Sequence, residues 1–194
     1  MLNHIRPAVV MIALFTGVLG VAYPFAVTGV AQAAFHDQAD GSLVRDKAGR
    51  VVGSALIGQS FAQPGYLHPR PSAAGDGYDA SASSGSNLGP LNPDLIARVK
   101  TDADAFRAET GVKVIPADAV TTSASGLDPH TSPPYAELQV ARIARARGVG
   151  EAQVREVIRQ HEEGRTFGVL GQPRVNVLLT NMALDARFPR PTEG

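Results

Sequence analysis

The first pattern along the chain is unbroken. From Pro7 to Phe35 no side chain carries a charge, and Ala8 to Val21 (AVVMIALFTGVLGV) has no strongly polar residue. A hydrocarbon core of roughly 30 Å is crossed by about 20 helical residues, and in lipid the backbone must bond within its own helix. The pattern therefore predicts a transmembrane helix region over 7–35. Within it Ala13, Gly17, Gly20 and Pro24 recur at i, i+4, i+7 and i+11, one face of an α-helix. Small residues there open a groove for close packing of another membrane helix. Arg6 lies before the span, whereas Asp37 and Asp40 are the first charges after it. The positive-inside rule then puts residues 1–6 in the cytoplasm and the rest outside. A rival reading is a cleaved secretory signal, because Ala31-Gln32-Ala33 fits the small-x-small pattern before Ala34.

Past residue 36 the pattern becomes that of a folded domain. Ser42–Asp46 and Val51–Ile57 are β-prone runs around Lys47-Ala48-Gly49-Arg50, which predicts a hairpin. A long Gly/Ser-rich loop is expected over 73–91. Asn92-Pro93 starts a helix to about Thr110 with Leu95, Ile96, Val99, Ala103 and Phe106 inward. Gly111 stops it before a strand at Val112–Ile115. A second helix follows Ser132-Pro133 as far as Arg147, with Leu138, Ala141, Ile143 and Ala144 inward and Gly148 as its stop. A third runs from Glu151 to Glu163 and ends at Gly164. Arg174–Arg187 has Val175, Leu178, Leu179 and Met182 at helical spacing, with a strand open for its first half. The fold class is thus one N-terminal transmembrane helix and one α/β (α+β) soluble domain over 36–194, with a frayed tail after Phe188.

Charge and composition narrow the partners. Eighteen basic and 18 acidic residues cancel, so no overall field draws the chain onto nucleic acid. Without cysteine, disulfides, thiolate metal sites and cysteine nucleophiles are excluded. Only Lys47, Lys100 and Lys113 are lysines. The arginine excess favours fixed pairing over loosely solvated charge. Arg142, Arg145, Arg147, Arg155, Arg159 and Arg165 make the second and third helices basic, either as a solvated face or as a docking surface.

Candidate chemistry is sparse. The phosphate-cradling G-x-x-x-x-G-K-[ST] is missing, and Gly75-Asp76-Gly77-Tyr78-Asp79-Ala80 is a loosened dinucleotide pattern with neither strand before nor helix after it. His4, His36, His68, His130 and His161 never stand at i, i+4. His161 closes a helix, where an imidazolium complements the dipole. Asp102 and Asp104 read as solvated surface charge. Ser125, Asp128 and His130 in SASGLDPH have the composition of a triad, but no G-x-S-x-G elbow frames Ser123 or Ser125. The same residues suit a rigid turn in which Asp128 bonds local N–H groups and Gly126 lets the chain bend. Rigid loops on a scaffold are where recognition concentrates.

Several segments together resemble one family: Tyr23-Pro24, Thr28-Gly29 and Ala31-Gln32; Gly58-Gln59 and Phe61; Arg70-Pro71-Ser72-Ala73; Gly85-Ser86-Asn87-Leu88-Gly89-Pro90; Ser125 to His130 (SGLDPH); and Gly171 to Leu178 (GQPRVNVL). The chain is similar over nearly its whole length to the C subunit of the Kdp potassium-transporting ATPase. Gln172, where many relatives carry Glu, and Asp40, in place of an Asn, are departures. The resemblance implies a non-catalytic, one-span subunit of a bacterial inner-membrane pump. It stabilises the assembly and supports potassium uptake powered by ATP hydrolysis in a P-type subunit, beside a channel-like potassium-binding subunit. It also implies a part in raising ATP affinity, so ATP is a ligand expected by resemblance alone. Its motifs add Gln59, Arg70, Asn87 and Gly89 as docking residues to Ser125, Gly126, Asp128 and His130 of the turn and to Ala13, Gly17 and Gly20 of the helix. Two other readings are a serine hydrolase using Ser125 or Ser123 with His130, and an anchored solute-binding module built on the Gly/Ser loop.

Overall fold

The structure is a computed structural model that describes residues 4–189. The start of the N-terminal stretch, residues 1–3, and the tail from 190 onwards lie outside the described residues. The chain divides into two compact units at Ser54 and Ala55.

The first unit begins with a continuous helix, Ile5–Ala34, of 30 residues. At 1.5 Å per residue it is about 45 Å long, more than the hydrocarbon core requires, and no residue of it is buried. It consists of α1 (Ile5–Phe15), a π-helical segment at Thr16–Ala22 and α2 (Tyr23–Ala34). Pro24 accounts for the wide turn. It has no N–H to give the carbonyl four residues back, and its ring crowds that carbonyl; in the wider turn the Tyr23 N–H reaches the Val18 carbonyl instead. One short turn, α3 (His36–Ala39), leads into β1 (Leu43–Arg45) and β2 (Val51–Ser54), an antiparallel pair with a bulge after Val44. The hairpin turn is closed by Asp46, whose carboxylate accepts from the backbone N–H of Ala48 and Arg50, both at 2.9 Å.

The second unit opens with a long stretch lacking helix and strand, interrupted by one 3-10 turn at Ala80–Ala82. Then come α4 (Pro93–Thr110), β3 (His130–Thr131), α5 (Pro133–Arg147), α6 (Glu151–Gln160), β4 (Glu162–Glu163), β5 (Arg174–Asn176) and α7 (Val177–Arg187). β5 is the centre of an antiparallel sheet of order β3-β5-β4. Side chains cap the helices as the sequence predicts: Asn92 accepts from Asp94 N–H and Ser132 from Tyr135 N–H, and Gly111 and Gly148 end α4 and α5 in the left-handed conformation.

The main core joins Ala136, Val140, Ile143 and Ala144 of α5 to Val154, Val157 and Ile158 of α6 and Val175, Val177 and Leu184. A smaller cluster sets Ala103 of α4 and Ala119 and Val120 against Tyr135, with Phe106 edge-on to the Tyr135 ring at 5.6 Å. Burial among these groups pushes the Tyr135 hydroxyl up to about 12.

Several expectations are corrected. Val112–Ile115 forms no strand; with a three-stranded sheet already completed by β3, β5 and β4, the segment has no partner and serves as a connection. Ile96 is 56 % exposed and Ala141 is exposed, because the buried face of each helix is narrower than an even apolar stripe. The third helix ends at Gln160, not at Gly164, since Glu162 and Glu163 pair with Val175 and Arg174 in the sheet. The basic residues of α5 are not all a solvated or docking face. The Arg147 side chain has no exposed surface; it donates to the carbonyls of Gly65 (2.6 Å) and Phe188 (2.7 Å) and to Asp185 (2.9 Å), with its guanidinium 5.3 Å from the Tyr66 ring centre. Arg142 likewise donates to the carbonyls of Pro64 and Tyr66.

These internal cations belong to a set of clamps on the long irregular stretch. Leu67, fully buried, gives its N–H to Asn181 Oδ1 at 2.7 Å, and its carbonyl accepts from Asn181 Nδ2 at 2.9 Å. His68 makes the same reciprocal pair with Gln139 at 2.8 and 3.1 Å. Two helix amides thus replace the strand partner that the backbone lacks, which satisfies groups whose burial unpaired costs about 1–3 kcal/mol each.

Candidate docking site

Three irregular stretches of the second unit meet where the sequence places its distinctive motifs. Their closest approaches occur at glycine. A Cβ on Gly58 would lie 2.5 Å from the Asp128 carbonyl oxygen, and the Gly58 N–H donates to the Leu127 carbonyl at 2.8 Å. Gly126 has φ +68°, and a Cβ there would lie 2.6 Å from the Ser84 carbonyl oxygen and 2.7 Å from the Ala74 nitrogen. The backbone at 58, 74, 84 and 126–128 is therefore in mutual contact, an arrangement that only a missing side chain permits.

Polar side chains lock this backbone. Arg70 spreads its guanidinium over four acceptors: Asp128 Oδ2 at 3.0 Å, the Thr122 carbonyl at 3.1 Å, the Thr121 carbonyl at 3.2 Å and the Thr121 hydroxyl at 3.4 Å. Asp128 Oδ1 accepts from the His130 N–H at 2.9 Å and lies 3.6 Å from His130 Nδ1. Burial alone would raise the Asp128 carboxyl, but the bonds from His130 and Arg70 together outweigh it and hold the group below the usual carboxylate range. Ser72 donates to the Gly126 carbonyl at 2.6 Å and accepts from the N–H groups of Ala74 and Tyr78. The Tyr78 hydroxyl donates to the Arg70 carbonyl, and burial first, then Asp128, pushes its pKa up. The far end of the turn is tied to the core, since the Pro129 carbonyl accepts from Val177 N–H at the start of α7 and His130 pairs with Asn176.

Of the sequence-derived residues, Arg70, Ser125, Gly126, Asp128 and His130 are gathered here. Gln59 follows Gly58 directly and is half-buried. Asn87 and Gly89 lie on an exposed stretch beyond Gly85, where Asn87 has φ +53° and the Gly89 carbonyl accepts from Asn92 N–H. Ser125 is exposed, and its hydroxyl accepts from the Leu127 N–H at 3.1 Å and faces Ser123 Oγ at 3.4 Å. Among the described residues no hydrogen bond joins Ser125 to His130, so the geometry of a serine activated by a base is not formed. Tyr78 and Ser72 are central to the network, although the sequence pattern does not single them out as site residues. A lone aromatic among Gly, Asp and Ser is the available signal for Tyr78.

The helix candidates belong to the first unit. A Cβ on Gly17 would meet nothing within 4 Å, and one on Gly20 only the Thr16 methyl at 3.8 Å. The π segment takes up about one residue more than an α-helix over the same turn, which rotates the downstream turns by roughly 100°. Ala13 precedes the segment while Gly17 and Gly20 lie within it, so the small-residue stripe turns along the segment and Pro24 leaves the face of Ala13.

Comparison with known proteins agrees with the motifs. A family model described as "K+-transporting ATPase, c chain" matches residues 5–186. A potassium-transporting ATPase KdpC subunit from Caulobacter sp. (strain K31) is 67% identical over 189 residues, covering 97% of this chain and 96% of that protein. The KdpC subunit of Beijerinckia indica is 58% identical with 97% and 96% covered, and that of Koribacter versatilis 51% identical with 99% of each covered. A match of this extent shows that the chain belongs to the family of KdpC subunits, the c chains of potassium-transporting ATPases.

Proposed function

We propose that the chain is the non-catalytic accessory subunit of an ATP-driven potassium pump. It holds the assembly together through one membrane helix and through the Arg70–Asp128 loop cluster of an extracytoplasmic domain. Its partners are the P-type subunit that hydrolyses ATP and the channel-like subunit that binds potassium. The observation that carries this reading is the loop cluster itself: motif segments far apart in sequence are fixed against each other by glycine contacts and a charged hydrogen-bond network, with Ser125 left outside any nucleophile–base pair. Such a surface is rigid, polar and suited to recognition. With the domain outside, ATP in the cytoplasm is beyond its reach, and any effect on nucleotide affinity passes through the partner subunits.

The test compares alanine variants in the intact pump. Asp128→Ala removes a half-buried ion-pair partner and should reduce recovery of the complex in mild detergent and its potassium-stimulated ATPase activity together. Ser125→Ala removes two neutral hydrogen bonds, to Leu127 N–H and Ser123 Oγ, each about 0.5–1.5 kcal/mol, and should leave recovery and activity nearly intact. A fully assembled Ser125→Ala complex without ATPase or transport activity would sink the non-catalytic reading.

A further inference from the structure

The His68 ring lies between two hydrogen-bonding groups that make opposite demands on it. Its Nε2 is 3.0 Å from the Gln63 carbonyl oxygen and 3.1 Å from Arg142 Nη1. A carbonyl accepts and a guanidinium donates, so Nε2 bonds the first only when it carries a proton and the second only when it offers a lone pair. The other ring nitrogen, Nδ1, has no hydrogen-bond partner among the described residues, where no buried side-chain polar atom lacks one. Nδ1 therefore meets solvent and exchanges protons with it. Two charged groups face the ring: Arg142 of α5 and, behind it, Glu109 of α4, whose Oε1 is 3.2 Å from Arg142 Nε. Tyr135, also on α5, stays neutral with its hydroxyl pushed up to about 12. Burial first, and then Arg142, hold the imidazole below its ordinary value, against the weaker pulls of the Gln63 carbonyl and Glu109.

Arg142 is the hub of what the ring touches. Its Nη1 donates to the carbonyls of Pro64 at 2.6 Å and Tyr66 at 3.0 Å, and its Nη2 to Gln139 Oε1 at 2.6 Å. The same Gln139 oxygen accepts from the His68 N–H at 2.8 Å. We propose that His68 and Arg142 form a pH-sensitive latch on the docking loops: with the ring neutral, Arg142 fixes residues 63–68 against α5, and protonation of the ring releases them. In the imidazolium both nitrogens carry protons, so Nε2 turns to the Gln63 carbonyl, Arg142 loses an acceptor, and two cations stand 3.1 Å apart where burial weakens screening. Pro69 alone separates His68 from Arg70, so the course of this segment sets where Arg70 enters its network. The latch is a property of the chain itself; its effect on the pump rests on the proposed function.

The unfolded chain keeps its imidazole at the ordinary value of 6.5 and takes up the proton first. The latch therefore stabilises the fold fully above about pH 6.5, and its contribution is lost as pH falls through the folded value. The full-length chain in mild detergent, with isotope-labelled histidine, is followed by NMR and by thermal unfolding as the pH is lowered from about 8. The His68 ring should titrate below about 6.5, and the Arg70 Nε–H resonance should move with the same midpoint. The melting temperature should drop by roughly 3–5 °C for each pH unit between the free and folded midpoints. His68→Gln should lose both changes, because its amide donates to Gln63 and accepts from Arg142 at once. Should that variant not fold, Arg142→Gln serves, since removing the cation should move the His68 midpoint upward. A His68 midpoint at or above about 6.5, or natural and His68→Gln chains melting in parallel throughout, would overturn the latch. In the intact pump, recovery in mild detergent should fall below the His68 midpoint for the natural chain and hold for His68→Gln. If the ring titrates as stated and recovery does not change, the latch stands and the docking role of the Arg70 cluster fails.

Discussion

Asp128 shows how one side chain can organise a loop with no secondary structure of its own. Its two oxygens serve different segments, one Arg70 and the other the backbone at His130. Because the folded carboxyl lies below its ordinary value near 3.9, the ionised form stabilises the fold. That contribution is complete above about pH 4 and is lost as pH falls through the folded value. The melting-temperature difference between the natural chain and Asp128→Asn should therefore be largest near neutrality and shrink below about pH 4. A pH-independent difference would show that the charge is not what matters. Gly126 is the other decisive residue. Alanine there meets both an unfavourable φ and backbone atoms within 2.8 Å, so Gly126→Ala should cost several times the ~1 kcal/mol of an ordinary mutation, as measured by denaturant unfolding. Gly89→Ala, with nothing within 4 Å, should cost far less.

The elements were legible in the sequence wherever a local signal existed. Asn92-Pro93 and Gly111 bracket α4 as expected, and Ser132-Pro133 and Gly148 bracket α5, because capping is decided by a few adjacent residues. The end of α6 was not legible, since Glu162 and Glu163 leave the helix for a strand partner more than ten residues away. Nor was the burial of Arg147, whose acceptors at Gly65 and Phe188 lie on opposite sides of it in sequence. In the membrane helix, ideal α-helical spacing gives the stripe of Ala13, Gly17 and Gly20, and the π segment that turns it is a consequence of Pro24. Gly17→Leu or Gly20→Leu should fill this face and lower recovery of the complex, while Val18→Leu should not. Equal recovery from all three would leave the stripe without a packing role.

At the scale of the molecule, a 30-residue apolar helix precedes a domain whose polar network needs no help from lipid. We expect the chain to remain in membranes washed with alkali, with its N-terminus intact. A mature N-terminus at Ala34 would instead identify a signal peptide. Protease added outside spheroplasts should digest the domain, whereas complete protection would reverse the orientation. The clamps on the long irregular stretch have a further consequence, for the timing of folding. Leu67 is held by Asn181 and Ala55 by Asn176, pairs 114 and 121 residues apart. Contacts so distant are slow to form, and a ribosome adding about 5–20 residues per second releases the first partner well before the second. The backbone at Ala55 and Leu67 therefore waits for its partners until Asn176 and Asn181 are made. A chain broken off before Asn176 lacks both of these clamps, so only a chain completed through α7 can fix the backbone at Ala55 and Leu67.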